Sequence, residues 1–305
     1  MASLGISASF GSKTGIGITA SAAQGNGNSQ GQDQSWTNTH LSAGNTLTIT
    51  SAGDTTLKGA VGTADRIIAN SGNLHIESLQ DTSTYQSQDH NNGGSLTVGI
   101  SNMPVSGSFS TAAGNTQSTF NSVTEQSGLK AGDSGFQINV AGNTSLVGGV
   151  ITSTDNAAQQ NKNTFQSSQV TTADLQNNAS YQAQSYAASI STSGAGAGVG
   201  NASGNSTSTT QSGISGIAGN KDARTGDKET GLQKIFDSNA VNKEVNAQVQ
   251  ITSEFGKLAS TAIGNYAQAQ YEKALANTDK EGIEQWKEGG TSRVLLHTLV
   301  GALTG

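Results

Sequence analysis

The chain has 305 residues, of which 40 are glycine, one is proline and none is cysteine, and only 5% are aromatic. Such a chain cannot fill a wide globular core with large side chains, so it suits either disorder or an elongated stack of small repeats whose layers each bury a few residues. The absence of cysteine excludes disulfides and thiolate metal sites, and a formal net charge of −6 argues against binding to nucleic-acid phosphates.

The first residues lead directly into a strand-like alternation, with neither a basic start nor an apolar core. The sequence therefore shows no signal peptide. We expect an internal piece of a longer protein, preceded by an added start codon.

Three segments then share one plan, a glycine-rich run of alternating residues followed by a polar tract of Gln, Asn, Ser and Thr. Alternation on both sides of a turn predicts a β-hairpin. The copies reset at Leu41, Leu129 and Ile214, spacings of 88 and 85 residues. The alternating positions are Ile6, Ala8, Phe10, Ile16, Ile18 and Ala20 in the first hairpin, Leu96, Val98, Ile100, Val105, Gly107 and Phe109 in the second, and the degenerate run from Ile190 to Gly200 in the third.

A shorter phrase, Ala-Gly followed by Asn or Asp and then Thr or Ser, occurs at residues 43–46, 52–55, 131–134 and 141–144. Glycine accepts a positive φ and Asn or Asp bonds its own backbone, so the phrase predicts a corner. The strands that follow would point Leu47 and Ile49, or Leu57 and Val61, inward and the threonines outward.

Corners at such short intervals wind a chain into coils that stack at the inter-strand spacing of ~4.8 Å. The sequence therefore predicts a mainly β fold over residues 1–219, a parallel, right-handed β-helix with β-hairpin and polar-arm extensions. An antiparallel sandwich with the same alternation is the alternative.

Composition changes near Asn220. Residues 1–220 carry 5 basic and 10 acidic side chains, a net of −5, whereas residues 221–305 carry 10 and 11, a net of −1. We interpret residues 220–231 as a charged linker and residues 232–305 as a C-terminal α-helical segment.

The helical prediction rests on apolar residues at steps of three or four. A second helix is predicted at Lys280–Lys287, ended by Glu288-Gly289-Gly290. The last apolar run, residues 292–305, is too short to span a bilayer; it is either a core helix or a membrane-active segment. The stripe of the first helix, with Thr252 filling one gap, is Val241, Val245, Val249, Phe255, Leu258, Ala262 and Tyr266.

No group of residues has the spacing of a catalytic, cofactor or metal site. Ser127 and Lys130 fit a Ser-x-x-Lys nucleophile pattern, but the accompanying motifs are absent or out of order. The four histidines are scattered, and Arg66 is the sole arginine before residue 220, which argues against a polysaccharide lyase. Three aromatic residues punctuate the polar tracts and either pin them to the body or contact a sugar or membrane: Trp36, Phe120 and Phe165.

Several stretches resemble two-partner-secreted bacterial exoproteins, the filamentous haemagglutinin and contact-dependent growth inhibition family. In the repeats they are AGNTLTITSAGDTTLKGA (43–60), the return of this phrase at Ala141, and Tyr-Gln-Ser-Gln (85–88). Near the C-terminus they are LQKIFDSNAVNKEVNAQVQITSEFGKLASTAIGNYA (232–267) and RVLLHTLVGALTG (293–305), which resemble the segment leading into the pre-toxin domain.

The resemblance implies a fragment of a protein that is secreted by an outer-membrane partner transporter and displayed on the bacterial cell surface as a β-helical filament. It also implies contact with the target-cell outer membrane or a receptor, and a downstream toxin domain with its immunity protein, which we expect to lie beyond these residues. We therefore expect a non-catalytic delivery stalk that supports toxin translocation, with no cofactor and no nucleic-acid partner. An adhesin that binds a cell-surface glycan or receptor is the alternative, and a β-helical lyase comes third.

Overall fold

A computed structural model describes residues 2–9, 15–101, 105–192, 194–217 and 232–304. The fold is mainly β, with 59% strand in parallel and antiparallel sheets and helices at the C-terminal end, as the sequence predicts at this level. The predicted linker, residues 220–231, lies outside the described residues, so the domain boundaries stay a prediction.

The strands fall into long antiparallel hairpins and short parallel segments. In chain order they are β1 (Ala2–Ser9), β2 (Gly15–Gln34), β3 (Thr39–Ser42), β4 (Thr46–Thr50), β5 (Asp54–Lys58), β6 (Ala60–Ser71), β7 (Asn73–Glu77), β8 (Gln80–Ser101), β9 (Ser106–Val123), β10 (Gly128–Val140), β11 (Asn143–Val147), β12 (Val150–Thr152), β13 (Thr164–Gln166), β14 (Gln169–Ala173), β15 (Leu175–Ser191), β16 (Gly194–Thr210) and β17 (Gly213–Ile214). The helices are α1 (Asp155–Gln159), α2 (Ser238–Ala276), α3 (Lys280–Trp286) and α4 (Thr291–Thr304).

The long strands form one antiparallel sheet in the order β1-β2-β8-β9-β15-β16. Its three hairpins, β1/β2, β8/β9 and β15/β16, are those predicted from the alternation, although the turns at residues 11–14 and 102–104 fall outside the described ranges. The sheet continues through the polar tracts, where Gln34 pairs with Thr82 and Gln80 with Val123. The polar tracts are therefore strands of this sheet.

The short strands form two parallel sheets. We call a set of register partners on successive parallel strands a column. One sheet has the order β17-β12-β10-β6-β3, with β13 paired to β10 and β4 to β6; the other has the order β14-β11-β7-β5. The repeat resets at Leu41, Leu129 and Ile214, and these three residues lie in one column. The complete column, in strand order, is Leu41, Gly62, Leu129, Ile151 and Ile214.

The side chains between the two parallel sheets form the main core. Ile67, Leu129, Leu146 and Ile151 are all 0% exposed, and Phe136 is 1% exposed. Inward-facing Leu57 and Val61 are buried as predicted, whereas the threonines of β4 are exposed. Few large side chains per layer suffice because the core is narrow, as the composition requires.

The predicted corners occur at three of the four phrases named above, residues 43–46, 52–55 and 141–144, whereas the same four residue types at 113–116 lie inside β9. The glycines at these corners do not act through a positive φ. Residues 131–134 form an irregularity inside β10, where the register with β6 shifts, and not a corner. The phrase glycines do not have positive φ; this conformation occurs instead at Gly59 (58°) and Gly148 (57°), which follow β5 and β11.

A close approach between successive layers explains the phrase glycine at position 142. A Cβ there would lie 2.3 Å from Oδ1 of Asn73. The backbone N–H of Gly142 donates to the carbonyl of Gly72 at 2.7 Å, and that of Gly72 donates to Gly53 at 2.7 Å. Side chains continue this ladder, since Asn73 donates to Oδ1 of Asp54 at 2.8 Å.

A buried polar network links β8 and β9 of the second hairpin to β15 and β16 of the third. Oδ1 of Asn177, whose side chain is 1% exposed, accepts hydrogen bonds from the backbone of Val123 at 3.0 Å and from Nε2 of Gln80 at 3.1 Å. Its amide donates to Thr210 at 2.9 Å. Buried polar groups of this kind fix geometry because leaving one unpaired is costly.

The α2 helix lies on one face of the antiparallel sheet, and only the first half of its predicted stripe is covered. Val241, Val245 and Val249 are buried, but Phe255 and Leu258 are 59% and 69% exposed. The helix is present as predicted, and the sheet covers its apolar stripe only as far as Val249. The α3 helix matches the predicted second helix to within one residue.

The α2 helix packs directly against the glycine-rich third hairpin. A Cβ at Gly198 would lie 2.1 Å from the carbonyl oxygen of Val249, and one at Gly200 would lie 2.3 Å from that of Val245. The helix backbone can approach the sheet this closely because these two positions carry no side chain. None of the described helices, α4 included, has both the length and the apolar character needed to cross a bilayer.

Candidate interaction surface at the hairpin tips

The tips of the three hairpins present a continuous apolar surface on the sheet face opposite α2. The assignment of residues to this face follows from the two-residue period of a strand. Tyr85 of β8 points to the α2 side, so the even-numbered residues of β8 point to the opposite face. Cross-strand partners extend the surface, with Gly94 beside Phe109 and Phe109 beside Ile190. Its exposed side chains are Ile18 (45%), Leu96 (51%), Val98 (48%), Val105 (61%), Phe109 (57%) and Ile190 (65%).

The other face of the same tips is covered by hydroxyl groups. Cross-strand pairs bond through Oγ atoms, Ser3 with Ser21 at 2.6 Å and Ser95 with Ser108 at 2.7 Å. No charged residue occurs in residues 15–24, 92–101, 105–112 or 186–199. These stretches, which adjoin the turns of the hairpins, are thus uncharged, apolar on one face and hydroxylated on the other; Lys13 belongs to the first turn, outside the described residues.

An open concavity of about 1190 Å³ lies on the apolar face. Ala22, Gly94, Leu96 and Phe109 contribute to its lining. Large exposed apolar patches on proteins mark contacts with other proteins or with membranes. The sequence signal for this surface is the alternation of apolar residues with Ser, Thr and Gly without any charge. This alternation predicts the hairpins, but it does not show that one face of them is exposed.

The three aromatic residues singled out in the polar tracts lie apart. Trp36 is 47% exposed, and its backbone N–H donates to Oδ1 of Asp81 at 2.7 Å. Phe120 is buried at 8% exposure on the α2 face, with the Lys234 ammonium 5.8 Å from its ring centroid. Phe165 packs against the core between the parallel sheets. Surface contact by these residues stays a prediction, and Trp36 is the most accessible of them.

The polar groups near the parallel sheets are engaged in structural contacts. Oγ of Ser127, which is fully buried, accepts from the backbone of Ala60 at 3.2 Å. Glu77 contacts Lys58 at 3.0 Å and His75 at 3.3 Å. Burial alone would raise the pKa of Glu77, but the hydrogen bonds from Lys58 and His75 outweigh it and hold that pKa below its usual value. Among the described residues, no three His, Asp or Glu side chains come close enough together to hold a metal ion.

Comparison with known proteins places this architecture in a family. Residues 1–93 match the family model described as "Hemagglutinin repeat". The chain is 31% identical to "Toxin CdiA" from Escherichia coli, in an alignment that covers 99% of this chain and 11% of that protein. The chain belongs to the hemagglutinin-repeat region of CdiA contact-dependent inhibition toxins.

Other CdiA proteins match the same region. The "tRNA nuclease CdiA" of Yersinia mollaretii is 33% identical, over 86% of this chain and 9% of that protein. The "Deoxyribonuclease CdiA" of Dickeya dadantii is 38% identical, over 50% of this chain and 5% of that protein. The chain therefore spans about a tenth or less of the CdiA proteins compared here, and no solved structure matches it.

Proposed function

We propose that this chain is a non-catalytic delivery stalk of a secreted CdiA exoprotein, which engages the target-cell envelope through its hairpin tips and supports toxin translocation. Its two parallel sheets are the walls of a right-handed β-helix. Its three hairpins project from that rod as parts of one antiparallel sheet. The uncharged apolar surface at the hairpin tips is the observation that carries the proposal.

The aligned columns support the β-helix. Leu57, Ile76 and Leu146 are register partners on β5, β7 and β11, so similar side chains recur at one height of successive layers. The backbone ladder through Gly53, Gly72 and Gly142 repeats at the corner. A stack of this kind depends on small residues and short strands, and its length gives reach.

The tips support a contact with an apolar or lipid environment. Water solvates the exposed side chains of Phe109 and Ile190 poorly, and their burial in a partner would stabilise the contact at ~25 cal/mol per Å². The apolar face, whose described side chains carry no charge, can contact such an environment without the cost of desolvating an ion.

The relatives support a non-catalytic role for this region. Proteins named for tRNA cleavage and for DNA cleavage contain a similar sequence, so this region goes with different activities. We propose that catalysis resides in parts of the parent protein that this chain does not cover. The outer-membrane transporter, the downstream toxin domain and its immunity protein are partners of that parent on this proposal, and no nucleic acid is a partner of this region.

The experiment places an aspartate on either face of the same strand in the full-length parent exoprotein. Phe109→Asp charges the apolar face, whereas Ser110→Asp, the control, charges the neighbouring position on the other face. Burying an unpaired charge costs several kcal/mol, so Phe109→Asp should lower target-cell killing about tenfold or more at unchanged surface display. Ser110→Asp should kill normally. Normal killing by the Phe109 variant would refute the proposal.

Trp36 favours the second candidate function, an adhesin for a cell-surface glycan or receptor. Its indole is half exposed, and a hydrogen bond to Asp81 fixes its backbone. Specific binding of the purified chain on a glycan array, lost on Trp36→Ala and kept on Phe109→Asp, would favour this candidate over the delivery stalk.

A further inference from the structure

The polar tracts of the antiparallel sheet form an unbroken surface of amides and hydroxyls on the face opposite α2. Register partners on neighbouring strands point to the same face of a sheet. Four successive cross-strand rows over β2, β8, β9, β15 and β16 contain only Asn, Gln, Ser and Thr; we call them the amide rows. In order from the parallel sheets toward the hairpin tips they are Gln34-Thr82-Asn121-Asn178-Thr207, Gln32-Thr84-Thr119-Ser180-Asn205, Gln30-Gln86-Gln117-Gln182-Ser203 and Asn28-Gln88-Asn115-Gln184-Asn201.

The third amide row places glutamines side by side on four neighbouring strands. Within the part of the chain that the structure describes, none of their side-chain amides forms a hydrogen bond with the protein. Each amide offers two N–H donors and a carbonyl acceptor. The row therefore presents donors and acceptors to solvent at intervals of one strand, ~4.8 Å. All four glutamines are exposed: Gln30, Gln86, Gln117 and Gln182.

Two shallow grooves follow the second and third amide rows across the sheet. One, of about 370 Å³, is lined by β2, β8 and β9, and the other, of about 590 Å³, is lined by β9, β15 and β16. Residues 117–119 of β9 belong to both, so the grooves together cross five strands, a length of ~19 Å at the inter-strand spacing. The second row contributes short hydroxyl side chains, with Oγ1 of Thr119 2.9 Å from Oγ of Ser180.

The α2 face of the same strands is already covered. The ring centroid of Phe236, which precedes α2, is 5.2 Å from that of Tyr85 and 5.7 Å from that of Tyr181. Val241 and Val245 of α2 pack into a cluster with Phe236 on this face. The amide rows are therefore the free side of this half of the sheet.

The chemistry of the amide rows selects one class of ligand. Their side chains include no cation to neutralise a phosphate, sulfate or carboxylate group. They also include no apolar side chain to bury a lipid chain or an anchor residue of a protein partner. The hydroxyl groups of an uncharged sugar donate and accept hydrogen bonds, as amides do. Beyond Gln184 on the same face of β15, Tyr186 is 53% exposed and offers a ring against which the C–H groups of a sugar can pack.

We propose that the amide rows bind a neutral oligosaccharide, which lies across the strands along the two grooves. The glutamines of the third row bond its hydroxyl groups, and Tyr186 packs against a sugar ring at one end. Gln117 is eight residues from Phe109 along β9, ~27 Å, so this site is separate from the apolar surface at the hairpin tips. The proposal therefore does not rest on the delivery function.

An array of neutral, sialylated and sulfated oligosaccharides, probed with the full 305-residue chain, tests the proposal, and titration calorimetry with the best neutral binder gives its Kd. The chain should bind neutral oligosaccharides in preference to the acidic ones. Gln117→Ala removes the central amide, which both grooves share, and should weaken this binding about fivefold through lost hydrogen bonds. The side chain of Gln117 is exposed, so an unchanged melting temperature should show that the variant folds.

Gln24→Ala is the matched control, because Gln24 is an exposed glutamine on the same face, two rows beyond the amide rows. It should change the Kd by less than about twofold. Phe109→Asp should also bind normally, so a failure of the apolar surface at the hairpin tips is told apart from a failure of this site. Equal losses in Gln117→Ala and Gln24→Ala would overturn the proposal.

Three other results would contradict a neutral-sugar site on the amide rows. The first is an array with no neutral binder or with a preference for acidic sugars. The second is sugar binding that is lost on Trp36→Ala and kept on Gln117→Ala, which would place the sugar elsewhere. The third concerns a second copy of the chain, since Asn and Gln surfaces can also pair with one another. A dimer in sedimentation velocity that Gln117→Ala dissociates, without sugar binding, would assign the rows to that copy.

Discussion

Truncation of one layer of the narrow core tests how the stack is held together. Leu146 of β11 is 0% exposed, lies between Ile76 and Thr172 in its column, and packs into the main core. Leu146→Ala removes three carbons from a site that neighbouring layers keep from collapsing. The loss should be about 3 kcal/mol of unfolding free energy, from lost burial plus the cavity left behind. That is a large part of the 5–15 kcal/mol that usually stabilises a domain.

Leu41→Ala is the control. Leu41 lies in β3, the strand at one end of the stacked layers, and is 42% exposed. It leaves no enclosed cavity and should cost about 1 kcal/mol. Urea unfolding followed by far-UV circular dichroism measures both variants, with the free energy taken by linear extrapolation. Equal losses in the two variants would refute the reasoning that enclosed layers carry the stability.

Three further changes probe other parts of the fold. Gly148→Ala should cost about 1–2 kcal/mol in the same urea assay because this residue has φ of 57°, whereas Gly44→Ala, with open space around it, should be neutral. Gly200→Val should increase hydrogen exchange in the first turns of α2, since even a Cβ there would meet the carbonyl of Val245; unchanged protection would contradict the described packing. Glu77→Gln should lower the melting temperature by more at pH 7 than at pH 3: the pKa of Glu77 is depressed, so its stabilisation is present above the usual value of 4.5 and is lost as pH falls through the folded-state pKa. An equal or larger difference at pH 3 would count against that ion pair.

The long period was readable from the sequence, but the intermediate layer was not. The reset residues Leu41 and Leu129 lie in one column, yet Gly62 of β6 lies between them. Each long repeat therefore contains two layers. The corner of the intermediate layer is Ser71-Gly72-Asn73, a variant of the repeated phrase that begins with Ser in place of Ala, so a search for Ala-Gly misses it.

The polar tracts were harder to predict as strands. Periodicity detects strands by alternating apolar residues, and a tract such as residues 24–34 has none. Its strand state comes from long-range backbone pairing, with Gly25 beside Asn91 and Gln34 beside Thr82. Hydroxyl and amide contacts between neighbouring strands add to that pairing, and none of these contacts is visible in a local window.

The helical stripe shows a similar limit. A step of three or four identified the face of α2 that includes Val241 and Val245, which the sheet covers. The same step continued to Phe255 and Leu258, whose side chains are exposed. A local sequence pattern identifies the apolar face of a helix. How much of that face is buried depends on the extent of the element that packs against it. The pairing of Phe236 with two tyrosines is likewise a tertiary contact between residues 151 and 55 positions apart, without a local signal.

Cross-linking between layers tests the stacked architecture most directly. Thr63 and Lys130 are partners on adjacent parallel strands, and Lys130 is also the partner of Thr152 on the next. Adjacent strands lie ~4.8 Å apart, within the Cα separation of a disulfide, and strands two apart do not. In this cysteine-free chain, Thr63→Cys with Lys130→Cys should therefore oxidise to an intramolecular disulfide, and Thr63→Cys with Thr152→Cys should not. A disulfide in the second pair but not in the first would contradict the order of the layers and with it the account of the stalk.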